Sequence, residues 1–340
     1  MNFEYTPPQT QLEELLGGHR CVNIFGPIEP GDDERFVSFL NQSEIPPRTD
    51  VYIHSSGGDV EAALNIGRII REGWLSTHVG QYVLDQSGPS DPLTEHLKPR
   101  RFVVGSCMSS ATLIFLGGRL RYLADGSKFG VHQFSFKNPS GDNVARSQIL
   151  SSKIARFVSD MGIDTRFLEI SSSTESIGIR LISYSDLSDL NIVTGGETDV
   201  IWSIIARNKI IYVRGERDSV YGHQKIIIGF AKGAGFFIHA VIESQGREEE
   251  LLAMPFVEVV VGMSEKRSID VSSLSERDIH GIYTNVVAPI SNADAMEICN
   301  SDGFGLRLRW TLEAPVFLGV APMSTATGGD ILRSFVHVHS

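Results

Sequence analysis

Over residues 20 to 197 short apolar runs alternate with stretches whose apolar residues recur at helical spacing, the pattern of strands separated by helices. Arg20 to Phe25, Asp50 to His54 and Leu75 to Val79 predict strands. Asp32 to Gln42, with Phe36, Val37, Phe39 and Leu40 on one face, predicts a helix stopped by Pro46 and Pro47. Asp59 to Gly73 predicts a second, opened by acids and closed by glycine. Arg101 to Val104 reads as a further strand, followed by a turn of small residues and a helix ending at Gly117 and Gly118. Arg121 to Ala124 and Phe129 to Gln133 predict strands. Asn143 to Met161 predicts the longest helix, with Ile149, Ile154, Phe157, Val158 and Met161 at its apolar positions. Thr165 to Ile170 and Ser185 to Leu190 predict shorter helices, and Asn191 to Thr194 a closing strand. Residues 1 to 18 read as a surface arm with a short helical pattern at Leu12, Leu15 and Leu16.

Beyond Glu197 the texture changes. Ile210 to Arg214, Gln224 to Ala231, Phe236 to Ile242, Phe256 to Val261, Gly281 to Val287 and Gly305 to Leu312 are strand-like runs broken by glycine-containing turns. The expectation is two domains, residues 1–197 and 198–340, the second an all-β sandwich or small barrel. His337 and His339 would fall on one face of a terminal strand, without an evident third metal ligand.

Three blocks carry the chemistry. Gly57-Gly58 sits between a strand and a helix, where backbone N–H groups can approach an anion. The turn from Ser106 to Ser110 lies between a strand and a helix, so a serine there has beside it the first backbone N–H groups of the helix, which can take up developing negative charge. His132 lies in a predicted strand and is either a core histidine or a base available to such a serine.

His54 to Val60, Gly105 to Gly118 and Ser127 to Gln133 together resemble, in order and spacing, the Clp-type serine proteases, in the manner of their distant bacterial members. The resemblance covers residues 20 to 197 and implies an α/β Clp/crotonase-like core of ββα repeats. It implies Ser109 as nucleophile, His132 as base, the N–H groups of Gly58 and Ser110 as oxyanion hole, and a peptidase-like hydrolase acting on protein or peptide. The Asn143 to Met161 helix would be the handle through which subunits assemble into a homo-oligomer. One position departs from the pattern: where the family carries an acid before an Arg-Phe-Leu-Ser segment, Ile179 precedes Arg180-Leu181-Ile182-Ser183. Glu175 upstream is the preferred substitute, Asp186 the nearest downstream, and a dyad without an acid the third possibility. Residues 81 to 100 form an insertion relative to the family, either a lid or decoration. A catalytically silent scaffold whose β-domain binds a protein partner, and a crotonase-type acyl-thioester enzyme, are the alternative readings.

Composition narrows the field. A chain of 340 residues with 41% hydrophobic content supports packed cores, and a net charge of −11 with dispersed Lys and Arg argues against nucleic acid as a partner. The N-terminus lacks a signal-peptide pattern and no run is apolar enough for a membrane span, so the expectation is a cytoplasmic protein. Cys21, Cys107 and Cys299 fit neither a disulfide framework nor a zinc site. No cofactor or metal is implied. ATP-independent action is expected, because the segment before Arg20 does not resemble the loops by which Clp rings dock their unfoldases.

Overall fold

A computed structural model describes residues 1–15, 19–85, 95–134, 142–207, 210–265 and 267–340, and of residues 142–145 the backbone alone. Leu16 and the middle of the 81–100 insertion therefore lie outside the described residues. The chain divides into two compact units, Met1–Gly196 and Glu197–Ser340.

In the first unit the elements run β1 (Asn2–Thr6), α1 (Gln11–Leu15), β2 (Cys21–Phe25), α2 (Asp32–Gln42), β3 (Asp50–His54), α3 (Val60–Glu72), β4 (Ser76–Val79), β5 (Gln81–Leu84), β6 (Arg100–Val103) and β7 (Ser106–Met108). They continue as α4 (Ala111–Leu116), β8 (Arg121–Tyr122), β9 (Lys128–Val131), α5 (Asp142–Asp160), α6 (Arg166–Ser172), β10 (Arg180–Leu181) and α7 (Tyr184–Asp189). One sheet has the order β1-β2-β3-β4-β8, parallel except for β1. A second, β10-β9-β7, pairs β7 with β9 in parallel, and a parallel bridge from Ser55 to Cys107 joins it to the end of β3. Val22, Ile24, Val51 and Ile53 are fully buried between α2, α3 and α4, as expected for parallel strands covered by helices.

Several sequence-based expectations need correction. The supposed surface arm supplies β1, which pairs antiparallel with β2 along its whole length. Asn191 to Thr194 forms no strand; its carbonyls are taken up instead by Arg121, whose guanidinium donates to Asn191 O and Ile192 O. Ile149, placed on the apolar face of the long helix, is exposed, whereas Phe157 and Val158 are fully buried. The insertion begins and ends as an antiparallel ribbon of β5 with β6.

Helices α3 and α4 meet at two glycines. A Cβ on Gly117 would lie 2.1 Å from Gly67 O, and one on Gly67 would lie 2.6 Å from Leu113 O. Only bare backbone permits that approach.

The second unit contains β11 (Ile201–Arg207), β12 (Ile210–Ser219), β13 (Gly222–Ala231), β14 (Gly235–Glu243), α8 (Glu248–Ala253), β15 (Phe256–Val261), β16 (Arg267–Asp270), β17 (Glu276–His280), β18 (Tyr283–Pro289), α9 (Asn292–Asn300), β19 (Gly303–Arg309), β20 (Leu318–Ser324) and α10 (Gly329–His339). Its two antiparallel sheets have the orders β11-β12-β13-β14-β18-β17 and β16-β15-β19-β20. An all-β domain was the expectation, and helices α8 to α10 correct it. In α9 the Ser291 hydroxyl accepts from Asp294 N at 3.1 Å, closing the first turn. In α10 Leu332, Phe335 and Val336 recur at helical spacing and are buried in the same core as Ile226, Ile238 and Leu306. His337 and His339 are thus helical, not on a strand face: His337 Nδ1 lies 2.8 Å from Arg333 O, and His339 stacks on Phe230.

No helix among the described residues is long and apolar enough to cross a membrane.

Candidate functional site

Strands β7 and β9 run in parallel with Met108 opposite Gly130, so their C-terminal ends deliver Ser109 and His132 to the same end of the sheet. Ser109 N donates to Gly130 O at 2.9 Å. The backbone of Ser109 has φ of 55°, a left-handed conformation uncommon outside glycine and asparagine and one that stores strain. Downstream, Ser109 O accepts from Thr112 N at 3.1 Å and from Thr112 Oγ1 at 2.6 Å, which starts α4. The serine thus stands at a sharp strand-to-helix corner, the geometry that exposes a nucleophilic hydroxyl.

The Gly57-Gly58 turn is fixed from the other side. Ile28 N donates to Gly57 O at 3.0 Å, and Asp59 N donates to Ile28 O at 3.0 Å. Asp59 caps α3 by accepting from Ala62 N at 2.9 Å. Gly58 has φ of 150°, and a Cβ there would lie 2.1 Å from Ile28 O, so no other residue fits.

Ser109, Ser110 and His132 line one cavity of about 430 Å³, walled otherwise by Val60, Leu113, Phe134 and serines of α5 and α6. Among the described residues His132 is the one titratable group in this wall, and no hydrogen bond joins its ring to Ser109. Catalytic hydrogen bonds are often long before substrate arrives, so their absence in the free protein does not separate the pair.

Two features differ from the arrangement expected. The N–H of Gly58 donates to Ser110 Oγ at 2.7 Å, and the same hydroxyl donates to Gly58 O at 3.1 Å. The Ser110 side chain therefore occupies the position where an oxyanion would meet the Gly58 donor, while the Ser110 N–H makes no hydrogen bond among the described residues. Sequence reasoning treated Ser110 as a backbone donor alone and missed this.

The second difference concerns the acid. His132 Nδ1 is buried and has no hydrogen-bond partner among the described residues. Glu175 is exposed and, among the described residues, forms no hydrogen bond or ion pair with the ring, although Gln133 N donates to the neighbouring Thr174 O at 2.9 Å. Asp186 is engaged elsewhere, its carboxylate accepting from Ser183 Oγ at 2.7 Å at the start of α7. Strand β10 pairs antiparallel with β9, Arg180 opposite Val131, so continuing the register puts Ile179 opposite His132. An apolar side chain, not an acid, therefore stands opposite His132 in this register.

Cys107 is fully buried beside the site, and burial pushes its thiol far above the ordinary range, which removes it as an alternative nucleophile. Among the described residues no group of three potential metal ligands forms. No protein-family model matches this chain, and no curated protein matches it.

Proposed function

We propose that residues 1–196 form a serine hydrolase of the Clp-protease type, working with a Ser109–His132 dyad on peptide or related acyl substrates, without an ATPase. The observation that carries this reading is the strained left-handed Ser109, held at a strand-to-helix corner on the wall it shares with His132. Strain of this kind costs on the order of 1–3 kcal/mol and is kept where a side chain must be presented in one direction.

In this mechanism His132 withdraws the Ser109 proton as Oγ attacks the carbonyl carbon. The oxyanion accepts from Ser110 N–H and, once the Ser110 hydroxyl has turned aside, from Gly58 N–H. His132 then gives its proton to the leaving group. Water, deprotonated by the same ring, opens the acyl-enzyme and restores Ser109. With Nδ1 unsupported the imidazolium is stabilised less than in a triad, so turnover is slow. The protein acts as a homo-oligomer, which light scattering at micromolar concentration tests.

A second reading, a silent scaffold whose C-terminal unit binds a protein partner, is favoured by the occupied Gly58 donor and by Ile179. Labelling with a serine-reactive fluorophosphonate decides between them. An adduct mapped to Ser109, absent from Ser109→Ala, supports the hydrolase; no adduct, or one on another serine, overturns it.

A further inference from the structure

The three acids that open α2 are not alike. Glu34 is exposed and Asp33 half-buried, and acids placed so are enough to complement the positive end of a helix. Asp32 is fully buried. A carboxylate withdrawn from water persists where cations and N–H donors replace the water. Its Oδ1 accepts from Arg35 Nη1 at 2.5 Å, and its Oδ2 accepts from the α-amino group of Met1 at 3.0 Å and from Glu29 N at 2.7 Å.

The contact with Glu29 leads to the candidate site. Ile28 C=O and Glu29 N–H belong to one planar peptide unit, so neither group turns without the other. The carbonyl edge of that plane accepts from Asp59 N, just past Gly58, at 3.0 Å, and it is this oxygen that a Cβ on Gly58 would meet at 2.1 Å. On the preceding peptide, Ile28 N donates to Gly57 O at 3.0 Å. The Gly57-Gly58 turn thus rests against a plane whose opposite edge is pinned by Asp32. Rotation of the plane would break the hydrogen bond to Asp59, the one to Asp32, or both.

We propose that Asp32 is a positioning residue for the Gly58 N–H. By holding Glu29 N–H it fixes the Ile28–Glu29 peptide plane, and that plane sets the turn that directs the Gly58 donor toward Ser110. Asp32 acts through the backbone alone. Its link to Gly58 stands whatever Ser109 does, and its effect on acyl transfer rests on the hydrolase reading.

The test uses the full chain and follows hydrogen exchange at the Gly58 amide together with fluorophosphonate labelling of Ser109 over a range of reagent concentrations. In Asp32→Ala the Gly58 amide should exchange about tenfold faster or more, while the amides of Ile66 and Ile70, fully buried in α3, keep their rates. A general loss of stability would speed all three together. The maximal labelling rate should fall about tenfold, part of the roughly 10²–10³ that one oxyanion donor is worth, with the half-saturating reagent concentration unchanged. Arg35→Gln releases Oδ1 at a side chain that is 57% exposed and so safe for folding. It should speed Gly58 exchange by about two- to threefold, as expected for loss of a single part-exposed ion pair, and keeps the proposal testable if the first variant fails to fold. An unchanged Gly58 amide in either variant, equal acceleration at all three amides, or a labelling change confined to the half-saturating concentration would overturn it. Absence of any Ser109 adduct in the wild type would remove the hydrolase reading instead, and the exchange rates would still decide the role of Asp32.

Discussion

The hydroxyl of Ser110 and the amide of Gly58, 52 positions apart in the chain, form a reciprocal pair in which Oγ accepts from N–H at 2.7 Å and donates to C=O at 3.1 Å. The pair closes one of the two donors that acyl transfer would need. Ser110→Ala should therefore speed fluorophosphonate labelling of Ser109 by about tenfold, because a single oxyanion donor is worth about 10²–10³ in rate and rotating the hydroxyl away recovers part of that in the wild type. Unchanged or slower labelling would show that the donor is not limiting.

Ile179→Asp should raise hydrolysis of an activated ester by at least about tenfold, out of the roughly 10⁴ that an orienting acid contributes in a serine triad. The side chain at this position is 45% exposed, so a carboxylate is tolerated there. A pH–rate profile identical in shape to that of the wild type would mean that the new carboxylate does not reach Nδ1 of His132.

The second unit should lose stability on mild acidification through His239. Burial holds its imidazole below the ordinary value of 6.5, while the Asn285 amide oxygen, 2.9 Å from Nε2, acts in the other direction. The folded state thus resists protonation and the unfolded state does not. Its contribution is complete above the unfolded pKa and falls away as pH drops from about 6.5 toward the folded value, with a slope of at most about 1.4 kcal/mol per pH unit. Denaturant midpoints at pH 7.5 and 5.5 should differ less in His239→Gln than in the wild type; an equal difference refutes the assignment.

All three cysteines are free and buried, and burial raises each thiol, that of Cys21 to about 11. Few thiolates are present near neutral pH, so an aromatic disulfide reagent should react with the native protein far more slowly than with the protein in guanidinium chloride. Rapid reaction of one equivalent without denaturant would contradict this burial.

What could be read from the chain was what local sequence encodes. Ser109 and Gly58 are each surrounded by the glycines and small residues that their own turn requires, and His132 directly follows the short strand β9. The Ser110–Gly58 pair was not legible, since neither sequence neighbourhood signals that a hydroxyl from one turn fills the space above the other. The departure from the Clp pattern at Ile179 was legible in the sequence, but that His132 Nδ1 is buried without a partner among the described residues became visible only in the structure. In the second unit the dense strand pattern hid helices whose signals are present: Ser291 three positions before Asp294, and Leu332, Phe335 and Val336 at helical spacing. The terminal His-Val-His looked like alternation because three residues are too few to separate a period of two from one of 3.6.

The glycine contact between α3 and α4 has a mechanical meaning. Gly58 lies just ahead of one helix and Ser109 just ahead of the other, and the backbones touch where Gly117 faces Gly67. Two cylinders seated that closely cannot slide past each other without collision, so Gly58 and Ser109 are carried at the starts of two helices that move as one stiff body. Gly117→Ala should then cost about 1–3 kcal/mol by overpacking and slow Ser109 labelling at a distance from the chemistry. Within that stiff pair, turning the Ser110 hydroxyl about one torsion is enough to break its two hydrogen bonds to Gly58.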